Sequence, residues 1–408
     1  MKNVKCARCI VCGKEYEPAP HITLCSCGGV LDIVYDYDYI ASKVSRATLA
    51  ANRDFTMWRY RSFLPIREDS PAPPLRVGWP PIYPAARLAE IIGVKYLFIK
   101  DDGQNPTSSL KDRASAVAVV KASEAGASTA ACASTGNAAS SLAGNAAAAG
   151  LGSVIFVPSR APAGKVAQLL IFGAKVFSVE GSYEDAFRLS AQAIERYGWY
   201  NRNAAINPYL MEGKKTVSME IAEQLGWEVP DYVAVSVGDG CTIAGVWKGF
   251  KDLYSAGLIR RLPRLISVQA QGCCPINLAA RTGNPLEPME ENTIADSIAV
   301  GAPRNPLKAI NAIQESGGVT VEVTDEEILE AMALLGRTCG VFGEPAGAAG
   351  TAGLMKAARE GLIPGDARVV SIVTGNGLKD TASGMKAAGQ PIPIAPDITQ
   401  LEKILGGM

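Results

Sequence analysis

The sequence lacks an excess of either charge. Its 408 residues hold 40 Lys and Arg against 40 Asp and Glu, and no long run of one sign occurs. Nucleic-acid binding normally needs a basic excess, so that class of function is not indicated. Charged residues make up 20% and hydrophobic residues 48% of the chain. This balance excludes a disordered protein and predicts a folded chain with two or three domains.

The sequence also lacks a long uninterrupted apolar run. Its most apolar region, residues 130–157, is interrupted by four polar residues, Ser134, Thr135, Asn137 and Asn145. This region therefore predicts buried helix and strand, and not a membrane span. The first residues, MKNVKCARCIVCGKEY, carry cysteines and charges where a signal peptide needs an apolar core. We expect no membrane association and a cytoplasmic location.

The ten cysteines do not indicate a disulfide scaffold, because such scaffolds are small and secreted. Within the first 27 residues, the motifs CIVCGK and LCSCGG each place a glycine after a cysteine pair. The glycine allows a tight turn that directs both thiolates at one ion. Four sulfurs suit a structural zinc ion, and the alternative is a β-hairpin with reduced thiols and no metal. The predicted ligands are Cys9, Cys12, Cys25 and Cys27, with Cys6 and His21 as spare candidates.

Strand and helix patterns alternate along the rest of the chain. Residues 28–40 predict a strand that leaves the cysteine-rich segment, and the prolines of residues 50–85 predict an extended wrap. Between residues 94 and 377, short apolar strands alternate with helical patterns, and residues 111–125 predict one of these helices. The alternation predicts an α/β fold with mostly parallel sheets.

Four loops that end predicted strands are rich in small polar residues. They contain Lys111, Asn137, residues 238–242 and residues 374–377. Ligands of open α/β sheets bind at the carboxyl ends of strands. In SVGDGCTIAG, the glycines allow backbone N–H groups to face a phosphate at a helix N-terminus, although many such turns contain glycine for steric reasons alone. A lysine and a separate phosphate loop together meet the needs of pyridoxal 5′-phosphate (PLP).

Five motifs occur in a family-specific order over residues 6–385. They are NPTSSLKDR, ASTGNAASS, NPYLMEGKKT, SVGDGCTIAGVWKGF and IVTGNGLKD. Together they resemble the threonine synthases, which belong to the tryptophan-synthase-β-like class (fold type II) of PLP enzymes. The resemblance implies two parallel-sheet α/β domains with PLP between them and an N-terminal zinc-ribbon-like segment. The expected boundaries are 1–40 for the ribbon, 41–125 and 220–408 for the large domain, and 126–219 for a small mobile domain.

The resemblance also implies roles for individual residues. Lys111 would bind PLP covalently and then transfer protons as a base, whereas the alternative is a surface lysine at a helix start. Asn137 would hydrogen-bond the phenolic oxygen of PLP, and Thr374 would face its pyridine nitrogen. The phosphate of PLP would be held by Gly238, Asp239, Gly240, Cys241 and Thr242. The substrate would be bound by Ser134, Thr135 and Lys214.

The implied reaction converts O-phospho-L-homoserine and water to L-threonine and phosphate by γ-elimination and β-addition. Two positions depart from the family, which commonly has arginine at Leu210 to bind the substrate phosphate and asparagine at Asp239. Leucine cannot bind a phosphate. The residues considered as replacements for the missing charge are Arg160, Lys165, Lys214 and Lys215.

Two alternatives remain at this point. The first is another fold type II PLP enzyme, which performs β- or γ-elimination or replacement on an amino acid without a phosphate. The second is a zinc-ribbon binding protein with an inactive enzyme body, against which the intact Lys111 and the balanced charge both argue. A homodimer is expected from the habit of the family.

Overall fold

The computed structural model describes residues 1–159, 163–203 and 205–406. The strands are β1 (Val4–Cys9), β2 (Glu15–Tyr16), β3 (Leu31–Tyr35), β4 (Ile82–Pro84), β5 (Tyr96–Asp101), β6 (Thr129–Ala133), β7 (Gly152–Pro158), β8 (Lys175–Val179), β9 (Tyr200–Asn201), β10 (Tyr232–Ser236), β11 (Arg264–Ala270), β12 (Val319–Val323) and β13 (Arg368–Val373).

The helices follow in the same chain order. They are α1 (Tyr37–Lys43), α2 (Arg46–Ala51), α3 (Ala86–Ile92), α4 (Lys111–Glu124), α5 (Asn137–Ala148), α6 (Ala163–Ile171), α7 (Tyr183–Tyr197), α8 (Pro208–Lys214), α9 (Thr216–Gln224), α10 (Cys241–Ser255), α11 (Pro275–Thr282), α12 (Pro306–Glu315), α13 (Asp325–Cys339), α14 (Pro345–Arg359), α15 (Thr381–Ala388) and α16 (Ile398–Gly406). Short 3₁₀ helices cover Met57–Phe63, Asp102–Gln104, Asp296–Ile298 and Gly377–Lys379.

The larger sheet has six strands in the order β12-β11-β10-β13-β5-β4. Its strands are parallel except β4, which pairs antiparallel with β5 at one edge. The central strand β10 reads YVAVS, and each of its residues is buried. A continuous apolar run of this kind is typical of a parallel strand covered on both faces. The carboxyl ends of β5, β10 and β13 meet at the same edge of this sheet.

The smaller sheet has four parallel strands in the order β8-β7-β6-β9. Its strands lie within residues 129–201, inside the range expected for the small domain. The adjoining helix α5 consists largely of Ala, Ser, Gly and Asn. These small residues allow close packing, since a Cβ on Gly144 would lie 2.6 Å from Thr107 Cγ2. The packing brings α5 beside the loop that leads into α4.

The cysteine-rich segment forms a three-stranded antiparallel sheet in the order β2-β1-β3. Its inner residues Leu31 and Ile33 belong to the same apolar core as Phe250 of α10. Asp32 of β3 forms an ion pair with Lys248 of α10 at 2.7 Å. The segment is therefore packed into the body of the protein and is not an appended module.

The predicted α/β class is confirmed, and α4 begins and ends close to its predicted bounds. The strand predicted over residues 28–40 is shorter than expected. It ends at Tyr35 because Asp36 caps α1, with the Asp36 carboxylate accepting a hydrogen bond from the backbone N of Tyr39 at 3.0 Å. Within the part of the chain that is described, no helix combines the length and apolar character needed to cross a bilayer.

Candidate active site

The loop before α4 is tied to the loop after β13 by backbone hydrogen bonds. Leu110 N donates to Thr374 O at 2.9 Å, and Asn376 N donates to Ser108 O at 3.1 Å. Ser108 has a φ of 67°, a left-handed conformation that is uncommon for serine and is often found at functional sites. These contacts place Lys111 and Thr374 together, as expected for two loops at the carboxyl ends of the adjacent strands β5 and β13.

Asp112 holds the turn that precedes Lys111. Its carboxylate accepts hydrogen bonds from Thr107 N and Thr107 Oγ1, both at 2.8 Å, and from Asn145 Nδ2 at 2.8 Å. Burial raises the pKa of Asp112 to about 6, although these hydrogen bonds oppose the shift. The small hydroxyl residues of this loop thus serve to fold it around one buried carboxylate, which fixes the start of α4.

Asn137, the first residue of α5, faces the same place from the other sheet. Its Nδ2 donates to Glu344 Oε1 at 2.6 Å and makes a longer contact of 3.5 Å with Ser297 Oγ. Glu344 precedes α14, and its backbone N donates to Gly375 O at 3.0 Å. Sequence reasoning missed Glu344. A signal was present, because an acidic residue followed by proline opens the small-residue run EPAGAAG.

Three cations converge on this site without a carboxylate in ion-pair contact, two of them buried and Lys111 half-buried. They are Lys111, Lys214 of α8 and Arg202, and among the described residues none of them forms an ion pair. Burial lowers the pKa of Lys111 to about 8, with further lowering by the charges of Lys214 and Arg202 and opposition from Glu344. Burial likewise lowers the pKa of Lys214 and that of Arg202. A surplus of positive charge in a buried place is suited to an anionic ligand.

The glycine loop at residues 238–242 leads from β10 to the N-terminus of α10. Gly240 has a φ of 89°, and a Cβ there would lie 2.7 Å from Asn305 O, so a larger residue is excluded. Asp239 Oδ1 accepts a hydrogen bond from Arg304 N at 3.1 Å. This contact directs the Asp239 carboxylate toward the chain after residue 303, and the backbone N–H groups at the start of α10 remain suited to an anion.

The arrangement fits PLP. The lysine amine lies at the start of one helix, the N-terminus of a second helix lies opposite, and the Thr374 hydroxyl makes no hydrogen bond with any described residue. The lowered pKa of Lys111 increases the share of neutral amine available to react with an aldehyde. The cation surplus requires a compensating anion, and a phosphate supplies one.

The loop after β6 carries the residues expected to bind substrate. Ser134 N donates to Phe156 O at 3.2 Å, and Ser134 Oγ accepts from Gly136 N at 3.2 Å. Thr135 is half-buried in the same loop. Asn203 reaches this loop from β9, and its Oδ1 accepts a hydrogen bond from Ala133 N at 3.3 Å. Arg202 and Asn203, which follow β9, were not singled out by sequence reasoning, although two polar residues that follow a strand are a usable signal.

Leu210 and the proposed substitutes for its missing charge have separate environments. Leu210 is fully buried in the apolar core between α4 and the smaller sheet. Lys215 is committed to a buried pair with Glu212 and Asp252, each at 2.5 Å. Lys214 has no such pair among the described residues. Arg160 and the side chain of Lys165 lie outside the described residues.

The four predicted cysteine ligands lie together. Their sulfur atoms are all within 4.8 Å of one another. The Sγ atoms of Cys9 and Cys27 are 3.6 Å apart, and those of Cys12 and Cys25 are also 3.6 Å apart. The Tyr16 hydroxyl contacts Cys25 Sγ at 3.1 Å. Four sulfurs at such distances fit a tetrahedral zinc ion, and Cys6 and His21 are not part of the group.

Solved structures of two enzymes share this architecture. Diaminopropionate ammonia lyase from Escherichia coli superposes with a TM-score of 0.66 and 20% identity, over 85% of this chain and 92% of that chain. Threonine deaminase isoform 2 from Solanum lycopersicum superposes with a TM-score of 0.63 and 21% identity, over 80% and 82%. At these identities the likeness establishes the fold alone.

Sequence comparisons reach further. A family described as "Pyridoxal-phosphate dependent enzyme" matches residues 74–375. The threonine synthase of Methanocaldococcus jannaschii is 43% identical over 98% of both chains, and that of Methanosarcina acetivorans is 41% identical over 98% of both. The threonine synthase of Synechocystis is 40% identical over 85% of this chain and 89% of its own. The chain therefore belongs to the threonine synthase family of pyridoxal-phosphate dependent enzymes.

Proposed function

We propose that this protein is a PLP-dependent threonine synthase that converts O-phospho-L-homoserine and water to L-threonine and phosphate. The observation that carries the proposal is the cluster of Lys111, Lys214 and Arg202, none of which forms an ion pair with a described carboxylate. A site that handles both a cofactor phosphate and a substrate phosphate needs such a surplus. The nearly full-length similarity to threonine synthases supports the same activity.

Lys111 is the proposed catalytic residue. Bound PLP supplies an electron sink, which allows Cα and then Cβ of an amino acid to lose protons. The Lys111 amine would hold the cofactor and, once released from it, would carry these protons. Its pKa of about 8 suits this work, because a base is most effective when its pKa lies near the working pH.

The remaining cofactor contacts follow from the loops at the strand ends. Asn137 would bind the phenolic oxygen, and its present partner Glu344 would hold the Asn137 amide in place. Thr374 would face the pyridine nitrogen, where a neutral hydroxyl does not favour a protonated ring. The phosphate would lie on residues 238–242 at the N-terminus of α10. Ser134, Thr135 and Lys214 are the proposed substrate-binding residues.

The domain boundaries remain our proposal. Residues 1–40 would form the ribbon, residues 41–125 and 220–408 the large domain, and residues 126–219 a small domain that closes on substrate and excludes water. The four cysteines would hold a structural zinc ion. A homodimer and a cytoplasmic location are further parts of the proposal.

The test is a paired measurement on the purified, PLP-supplemented protein. We expect the visible absorption of bound PLP to shift when O-phospho-L-homoserine is added, with release of inorganic phosphate. A stable PLP band that does not shift when phosphohomoserine is added would contradict the proposal. It would favour the second candidate, a PLP enzyme acting on an amino acid without a phosphate, which is motivated by the burial of Leu210 in an apolar core. Absence of any PLP band would contradict both.

A further inference from the structure

Arg202 lies between the helices that carry two proposed active-site residues. Its Nε donates to Ser115 Oγ at 3.0 Å, and its Nη2 donates to Ser141 Oγ at 3.3 Å. Ser115 follows Lys111 by four residues on α4, and Ser141 follows Asn137 by four residues on α5. Residues four apart share one helix face. Arg202 is therefore held one helical turn away from both Lys111 and Asn137.

The Arg202 guanidinium is buried without a paired carboxylate. The residue is 1% exposed, and the hydrogen bonds of its guanidinium to described residues go only to the two neutral serines. Asp112 attracts Arg202 at longer range, but the Asp112 carboxylate already accepts hydrogen bonds from Thr107 and Asn145. Burying a charge without a paired charge is costly. The cost is explained if this place holds an anion during the reaction.

Asn203 offers a second donor at the same place. Its Oδ1 accepts from Ala133 N, which fixes the orientation of the amide. The Nδ2 atom is buried and has no hydrogen-bond partner among the described residues. Leaving a buried donor unpaired is unfavourable. Ala133 is followed directly by Ser134 and Thr135, so the unpaired donor lies beside the proposed substrate loop.

We propose that Arg202 and Asn203 bind the phosphate group of the substrate, in the role for which the family uses an arginine at the position of Leu210. Leu210 itself is fully buried among apolar residues and cannot supply charge. A guanidinium and an amide N–H together match the oxygens of a phosphate ester. The inference rests on the proposed function and deepens it, since it names the residues that select a phosphorylated amino acid.

The phosphate of PLP is the other anion that these residues could meet. It is expected at the N-terminus of α10, in the loop that leaves the larger sheet. Arg202 and Asn203 instead follow β9 of the smaller sheet, and they contact α4, α5 and the end of β6. The PLP phosphate and the substrate phosphate are therefore assigned to loops of different sheets. Variants of Arg202 and Asn203 can show which of the two phosphates these residues bind.

The test compares the holoenzyme with the variants Arg202→Gln, Arg202→Lys and Asn203→Ala. We expect Arg202→Gln to raise the KM for O-phospho-L-homoserine about 10- to 100-fold, and the inhibition constant of inorganic phosphate by a similar factor. Arg202→Lys should recover part of both losses, and Asn203→Ala should show a smaller rise in both. PLP affinity, read from its visible absorbance, should change far less than the substrate KM, because Arg202 acts on Lys111 only through its charge. Arg196→Gln, at an exposed arginine of α7, is the matched control.

Unchanged constants in folded Arg202→Gln and Asn203→Ala would overturn the proposal. A loss of PLP affinity as large as the loss of substrate affinity would also overturn it, by assigning Arg202 to the cofactor. If Arg202→Gln does not fold, Asn203→Ala carries the test. If the wild-type enzyme does not turn over phosphohomoserine, the proposed function fails. The perturbation of PLP absorbance by inorganic phosphate, in wild type against Arg202→Gln, then still decides whether Arg202 binds an anion.

Discussion

At the residue scale, the proposed chemistry depends on the proton affinity of Lys111. The amine lies in a buried place, and burial is the main cause that lowers its pKa to about 8. The neighbouring charges of Lys214 and Arg202 act in the same direction, while Glu344 opposes them. Only a neutral amine can react with the aldehyde of PLP or accept a proton. The cations that would bind phosphate thus also lower the pKa of Lys111 and increase its neutral fraction.

Replacing Lys214 by methionine should raise the pKa of Lys111, because removing a like charge favours the protonated amine. In the cofactor-free protein, the rate of PLP capture should increase as the pH rises through about 8 in the wild type. The midpoint should lie at a higher pH in Lys214→Met. Stopped-flow absorbance at several pH values measures both midpoints. Lys403→Met, at an exposed lysine of α16, is the control, and equal midpoints in all three proteins would contradict the expected coupling.

At the element scale, a buried ion network joins β5, α4 and α9 beneath the active site. Arg113 Nε donates to Asp102 at 2.6 Å, and Arg113 Nη2 donates to Glu220 at 2.7 Å. Lys100 Nζ lies 2.8 Å from Glu220. All four side chains are fully buried. Because Arg113 stands two residues after Lys111, the network fixes the first turn of the helix that presents the proposed catalytic lysine.

Replacing Glu220 by glutamine should destabilise the protein by roughly 3–5 kcal/mol, since the positive charges of Arg113 and Lys100 would lose a buried partner. Burial raises the pKa of Glu220, but those two cations outweigh it and lower it to about 2. The wild type should therefore lose this stabilisation as the pH falls from above 4.5 toward 2, and Glu220→Gln should not show that part of the loss.

Urea unfolding of the wild type and Glu220→Gln at several pH values measures this difference. Glu330→Gln, at an exposed position of α13, is the matched control and should change the free energy of unfolding by less than about 1 kcal/mol. Equal effects of the two substitutions would show that the buried network does not stabilise the fold.

At the scale of the whole molecule, the ribbon and the enzyme body share one set of buried contacts. The Tyr35 hydroxyl donates to Glu212 of α8 at 2.8 Å, and the Tyr37 hydroxyl donates to Asp252 of α10 at 2.7 Å. Lys308 Nζ of α12 lies 2.9 Å from Asp32. These contacts connect the cysteine cluster to the helices that carry Lys214 and the glycine loop. Order in the ribbon should therefore support order in the active site.

The Cys25→Ser variant tests this connection and the zinc prediction together. We expect the wild type to contain close to one zinc ion per chain, and Cys25→Ser to lose most of it with a fall in Tm. PLP affinity should fall as well, through α8 and α10. Metal analysis, thermal unfolding and PLP titration measure the three effects. Cys339→Ser, outside the cluster, should retain zinc. A wild type without zinc would contradict the metal assignment.

The sequence allowed several elements near the site to be predicted well. The helix that begins at Lys111 was recognisable from its length and its many alanines, which favour helix, and the strands β6, β7 and β10 from short apolar runs. The helices α8 and α9 were not recognised, since they have only 7 and 9 residues and their almost complete burial leaves no polar face to reveal a helical period. Glu344 was missed because its partner Asn137 lies 207 positions away in the sequence.

By itself, the sequence determined the fold class, the cofactor chemistry and the four cysteines that could hold zinc. Each of these depends on residues that are close together in the sequence, such as a lysine at a helix start, a glycine turn or a cysteine pair. Only the tertiary structure decided which charges face one another. Lys215 forms buried ion pairs with Glu212 and Asp252. Arg202 lies one helical turn from Lys111, in contact with Ser115. The physical reason is that electrostatic energy depends on distance and burial in space, which the spacing of residues along the chain does not reveal.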